Sequence, residues 1–180
     1  MSGNLHTRAE IDENEDWIAC GQSALAALLE KPFSVVRPAF PPHSWCNLQQ
    51  MRAALNALHV QHSYCVIDRK TAVGAPLSWP RRGLVQIFFN GPWDAPGVPI
   101  AASYKASHWV AVTPLKNAPP NGEPWVFDIN ALDEELNHGW LPRSYWEAKI
   151  LAPLIASFKR ATGGWWVRAG IEVVVPKGDG

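Results

Sequence analysis

Helix-type patterning comes first in this chain and short β-favouring runs dominate the rest, an order that constrains the fold more than any other feature. From Ala19 to Glu30 the sequence is rich in Ala and Leu, lacks β-branched residues and is stopped by Lys31-Pro32. It reads as a short buried helix with Cys20 in its first turn. A Pro-rich loop follows (Pro32, Pro38, Pro41, Pro42), and then Leu48, Met51, Leu55 and Leu58 recur at three- and four-residue steps with polar residues between them. That spacing predicts a second, amphipathic helix. The β-favouring runs are Tyr64 to Ile67, Leu84 to Phe89, His108 to Thr113, Trp125 to Ile129 and Trp165 to Val175, with Gly, Pro and Asn in their separators. Between the last two, Ser144-Tyr145-Trp146-Glu147 has the form of a capping box, opening a helix that Pro153 kinks or ends. Strands without alternating helical crossovers cannot make a parallel sheet, so the expected class is α+β with a mainly antiparallel sheet.

The chain has 180 residues and shows no internal repeat or linker, which predicts one domain over residues 1–180 with about the first eight loose. Its 16 basic and 16 acidic side chains leave no net field to attract nucleic acid or an anionic membrane. No apolar run reaches the roughly 18 to 20 residues that a bilayer span needs. The N-terminus lacks a basic segment followed by an apolar core, and three cysteines make no even disulfide framework. A cytoplasmic location is therefore expected, with no cofactor and with the oligomeric state unread.

Chemistry is suggested by three residues far apart in sequence. A helix N-terminus directs unpaired N–H groups and the positive end of the helix dipole at a thiol placed there, favouring thiolate. Cys20, followed by Gly21, has that placement. Alone it is equally a small buried residue of an apolar helix. His108 opens the run Ser107-His108-Trp109-Val110-Ala111-Val112, and Asp128 interrupts Trp125-Val126-Phe127-Asp128-Ile129-Asn130. If the two runs pair as a hairpin around Pro119-Pro120-Asn121-Gly122, residues 108 and 128 become cross-strand neighbours, and Asn130 shares the face of Asp128 as a second-choice orienting residue. A structural histidine and an Asx-turn aspartate are the plain alternatives. Together, however, the three residues make a thiol triad in which Cys20 attacks, His108 moves the proton and Asp128 fixes the imidazole tautomer.

At this point the sequence resembles the papain-like cysteine peptidases. Asp16 to Leu29, the Ser107 to Val112 strand and Val126-Phe127-Asp128 are most similar to the bacterial double-glycine leader peptidase domain and its stand-alone relatives, over roughly residues 14 to 130. In that family a Cys-Gly pair starts the central helix, His-aromatic-Val-hydrophobic-Val opens a strand and a hydrophobic-Asp pair closes the next. The resemblance implies a cysteine peptidase or amidase acting on a peptide or protein. It also implies an oxyanion donor six positions before the nucleophile, where the family carries Gln and this chain carries Asn14; Gln22 and the Trp17 indole are possible substitutes.

Other readings compete. Cys46 also precedes a helix but lacks the following small residue. His43, Cys46, His59, His62 and Cys65 cluster in sequence without the spacing of a structural zinc site, so no metal is expected. The same triad serves acyl transfer to amines, and a papain-like scaffold can also act as a non-catalytic binding module. Trp45, Trp79, Trp93, Trp109 and Trp140 are candidates either for substrate subsites or for the core.

Overall fold

The computed structural model describes residues 19–42, 45–66, 79–99, 101–102, 106–114, 122–132 and 139–174. The architecture is α+β. Helix α1 (Cys20–Leu29) is followed by a short α2 (Phe33–Val36) with a 3-10 turn over Arg37–Ala39, and by α3 (Leu48–Ala57). Strands β1 (Gln61–Val66), β2 (Gly83–Phe89), β3 (Ser107–Thr113), β4 (Trp125–Phe127), β5 (Trp140–Pro142) and β6 (Trp165–Val174) form one sheet in the order β1-β6-β2-β3-β4-β5. Every pairing is antiparallel. Between β5 and β6 the chain makes α4 (Arg143–Trp146), a π-turn over Glu147–Leu151 and α5 (Ala152–Ser157).

The sheet is covered on both faces, and its sequence shows why. Central β2 reads GLVQIFF and is buried throughout, because alternate side chains enter two separate cores. Leu84 of β2, Trp109 and Ala111 of β3 and Phe127 of β4 pack with Leu25, Leu28, Met51 and Leu55 of α1 and α3. Val85 and Ile87, Val110 and Val112, and Val126 pack on the opposite face with Trp146, Leu151 and Ile155 of the C-terminal helical segment.

The helix boundaries have local causes. Helix α1 ends at Glu30, which takes the left-handed conformation (φ 54°) while Lys31 N donates to the Ala26 carbonyl, and Pro32 prevents continuation. Helix α3 starts at a true capping box: Asn47 Oδ1 accepts from Gln50 N at 3.0 Å and Gln50 Oε1 from Asn47 N at 2.9 Å.

Several expectations are corrected. The Pro-rich loop contains α2 and its 3-10 turn. Strand β5 escapes sequence reading because three residues carry no measurable alternation. Ser144 caps nothing: the N-cap is Pro142, and Glu147 turns to Arg143 at 2.6 Å instead of reaching back. Pro153 neither ends nor starts the segment, since α5 runs on to Ser157. The wider π-turn immediately before it sits where proline removes a donor and its ring would crowd the preceding carbonyl. The run from Trp125 stops at Phe127, and Asp128 caps a 3-10 turn over Ile129–Ala131. The N-terminal residues expected to be loose lie outside the described ones. Among those described, no helix is long and apolar enough to cross a membrane.

Candidate active site

Cys20 is the first residue of α1, half-buried and a free thiol. Ala19 at the N-cap position offers no side-chain acceptor, so no side chain competes for the N–H groups at this end of the helix. His108, 5% exposed, is the second residue of β3, and Asp128, 0% exposed, follows the last residue of β4. His108 Nε2 lies 2.9 Å from Asp128 Oδ2. The approach is short but the ring N–H is poorly aligned with Oδ2, so the contact is an ion pair that includes a distorted hydrogen bond. Cys20 is close enough to His108 to act on the imidazole and favour its charged form.

The expected register is off by two residues. Ala111 pairs with Phe127 and Val112 with Val126, which places Asp128 beyond the ladder and diagonal to His108 instead of opposite it. By strand alternation His108 shares its face with Val110 and Val112, and Asp128 shares that of Val126, all in the core completed by Trp146. Cys20 belongs to the other layer, packed against the α1 core. The three groups therefore meet around the end of the sheet, where β3 begins and β4 stops.

Asp128 is held from several sides. Its Oδ1 accepts from the Asn130 backbone N–H at 2.8 Å and from Asn130 Nδ2 at 3.0 Å, and its Oδ2 accepts from Trp146 Nε1 at 2.8 Å. The Asx-turn and the triad carboxylate are thus two oxygens of one side chain. Asn130 accordingly steadies Asp128 from a 3-10 turn and is exposed; it does not share a strand face with Asp128. Burial opposes charge on Asp128, but the His108 charge and the bonds from His108, Trp146 and Asn130 hold its carboxyl below the usual range. Burial likewise opposes an imidazolium at His108; the charge and hydrogen bond of Asp128, then the Cys20 contact, outweigh it and push the pKa up to about 10. The arrangement can store a proton on the imidazole beside a sulfur nucleophile.

Compared with known proteins, the chain matches no family model, and no curated protein matches it. Its site is read from geometry alone.

The remaining sequence candidates separate clearly. Cys46 is buried, and burial first and the neighbouring Cys20 second push its thiol well above the usual range, the opposite of a ready nucleophile. Its sulfur instead packs on Gly21, where an added Cβ would lie 2.7 Å from Cys46 Cβ and 2.8 Å from Sγ. Gln22 is buried in α1 with its Oε1 unpartnered, so it does not offer its amide to an open surface. Asn14, Trp17 and His43 lie outside the described residues. His62 Nδ1 meets the Val60 carbonyl at 3.0 Å, and no group of three or more metal-ligating side chains is found among the described residues.

Of the tryptophans, Trp109 is core and donates to the Cys46 carbonyl at 2.7 Å, Trp93 donates to the Phe89 carbonyl at 2.6 Å, and Trp140 packs on Phe127. Trp79 stacks edge-on against Trp146. Trp45 is 45% exposed. Trp146, which the sequence reading passed over, is the residue that touches Asp128. A buried indole needs an acceptor, but nothing in the sequence says which acceptor it finds.

Proposed function

We propose that this chain is a papain-like thiol hydrolase that cleaves a peptide or amide bond through Cys20, His108 and Asp128. One observation carries the reading: a thiol at an uncapped helix start acts on an imidazole that is paired, 2.9 Å away, with a fully buried carboxylate. Chain order supports it, since Cys, His and Asp follow one another on a central helix and two neighbouring strands, as in the family that the sequence resembles. Cys20 sulfur attacks the substrate carbonyl, and the imidazolium at His108 passes its proton to the leaving amine. His108 then takes a proton from water, which attacks the thioester and frees Cys20. The Cys20 N–H, at the helix start, is a donor for the oxyanion, with Asn14 as the second donor implied by the resemblance.

The reading is tested with iodoacetamide near neutral pH and mass-spectrometric mapping of the label. Rapid labelling at Cys20, in preference to Cys46 and Cys65, and its loss in His108→Ala are the expected results. Equal labelling of the three thiols in folded protein would falsify the catalytic role. Adding a primary amine with an acyl substrate then separates the two outcomes of the thioester: free acid alone means hydrolysis, and an amine adduct means transfer.

A further inference from the structure

We infer that Trp146 is a positioning residue of this site: its indole N–H fixes the rotation of the Asp128 carboxylate so that Oδ2 faces His108. The inference rests on the thiol-hydrolase reading for its catalytic meaning, and on the following geometry for its substance. Asp128 Oδ1 is engaged by both donors of Asn130, at 2.8 and 3.0 Å, while among the described residues Oδ2 receives the indole N–H at 2.8 Å and the imidazole at 2.9 Å. Both oxygens are thereby assigned, and the carboxylate has no free rotation about its Cβ–Cγ bond.

An indole is suited to this task. It donates without accepting and does not titrate, so it holds the anion across the whole pH range in which His108 changes charge. Among the described residues, His108 acts electrostatically on Asp128, and Asp128 and Cys20 act on His108, while Asn130 and Trp146 contribute neutral donors. The indole is itself immobilised. Trp146 is fully buried, with edge-on contacts to Trp79 at 5.9 Å and to Trp165 at 6.4 Å between ring centroids. Arg143, one turn earlier on α4, lies over the Trp79 ring at 4.2 Å and completes the stack. The C-terminal helical layer, beyond the part of the chain that carries the triad, thus sets the orientation of the triad's carboxylate.

Two variants separate positioning from packing. Trp146→Phe keeps an aromatic ring and removes the N–H; Trp79→Phe disturbs the same cluster and leaves the N–H in place. The readout is the His108 titration midpoint, followed by NMR on the full chain. A freed carboxylate rotates away from Nε2, so the midpoint falls by about one pH unit, a tenfold loss of proton affinity, in Trp146→Phe and stays within a few tenths in Trp79→Phe. An unchanged or raised midpoint in Trp146→Phe, or an equal fall in both variants, overturns the role.

A second measurement needs no variant. The Trp146 indole proton, assigned by its contacts with the Trp79 and Trp165 rings, shifts with the His108 midpoint in the unaltered chain; an indole proton indifferent to that titration also overturns the role. Neither readout requires turnover. If Cys20 shows no selective alkylation, the hydrolase reading fails while these titrations still decide the position of Trp146.

Discussion

Gly21 shows how much one residue beside Cys20 is asked to do. Its neighbour Cys46 leaves no room for a methyl group, since an added Cβ would meet Cys46 Cβ at 2.7 Å and Sγ at 2.8 Å. Gly21→Ala therefore forces α1 and the Cys46 segment apart and costs about 1–3 kcal/mol, as overpacking does elsewhere. The double variant with Cys46→Gly recovers more than the sum of the single changes, a coupling that a double-mutant cycle in denaturant unfolding measures. Cys20 alkylation slows in Gly21→Ala as its helix end moves relative to His108. At this scale the sequence was informative about identity and silent about partners. Cys20, His108 and Asp128 stand out by type and placement, whereas the thiol of Cys46, the amide of Asn130 and the indole of Trp146 acquire meaning only from what they touch.

Strands β4 and β5 are each three residues long, and their junction holds the carboxylate. Gly139 immediately precedes β5 with φ +67°, its carbonyl accepts from Asp128 N at 3.0 Å, and an added Cβ would lie 2.6 Å from the Phe127 ring. Gly139→Ala combines a left-handed backbone, about 1–2 kcal/mol, with the clash, about 1–3 kcal/mol. The expected loss is about 2–5 kcal/mol by urea unfolding, with slower Cys20 alkylation because Asp128 is displaced from His108. A variant that unfolds normally but alkylates like the unaltered chain would separate this junction from the site. Elements with enough residues to show a period, α1, α3, β2, β3 and β6, were legible in advance. Of the rest, β1 and β4 were read with shifted ends, α2 and β5 were missed, and the capping-box form at Ser144 misled because a cap depends on backbone conformation as well as on spacing.

Across the whole molecule, the buried pair links stability to pH. His108 is raised from 6.5 to about 10 in the folded chain, so its contribution is complete below about pH 6.5 and is lost as pH rises toward 10. Asp128 is held below its ordinary value of 3.8, so its contribution is present above that value and is lost as pH falls further. The two describe one interaction and count once. Stability from this pair is therefore greatest between 3.8 and 6.5. His108→Ala flattens the alkaline slope of a urea-midpoint profile, and an identical slope in the variant would remove the pair from the account.

Helix before strand, short β-favouring runs and absence of crossover helices were enough to determine an α+β molecule with an antiparallel sheet, because each is a local property of consecutive residues. The same local properties picked out three reactive side chains, yet they misjudged how two of those side chains meet. The β3–β4 register, the placement of the site around the sheet end and the reach of Trp146 to Asp128 were decided by tertiary structure. Each depends on packing between residues distant in sequence: two opposed cores set which face His108 and Asp128 occupy, and a helical layer folded onto the second face brings the indole to the carboxylate.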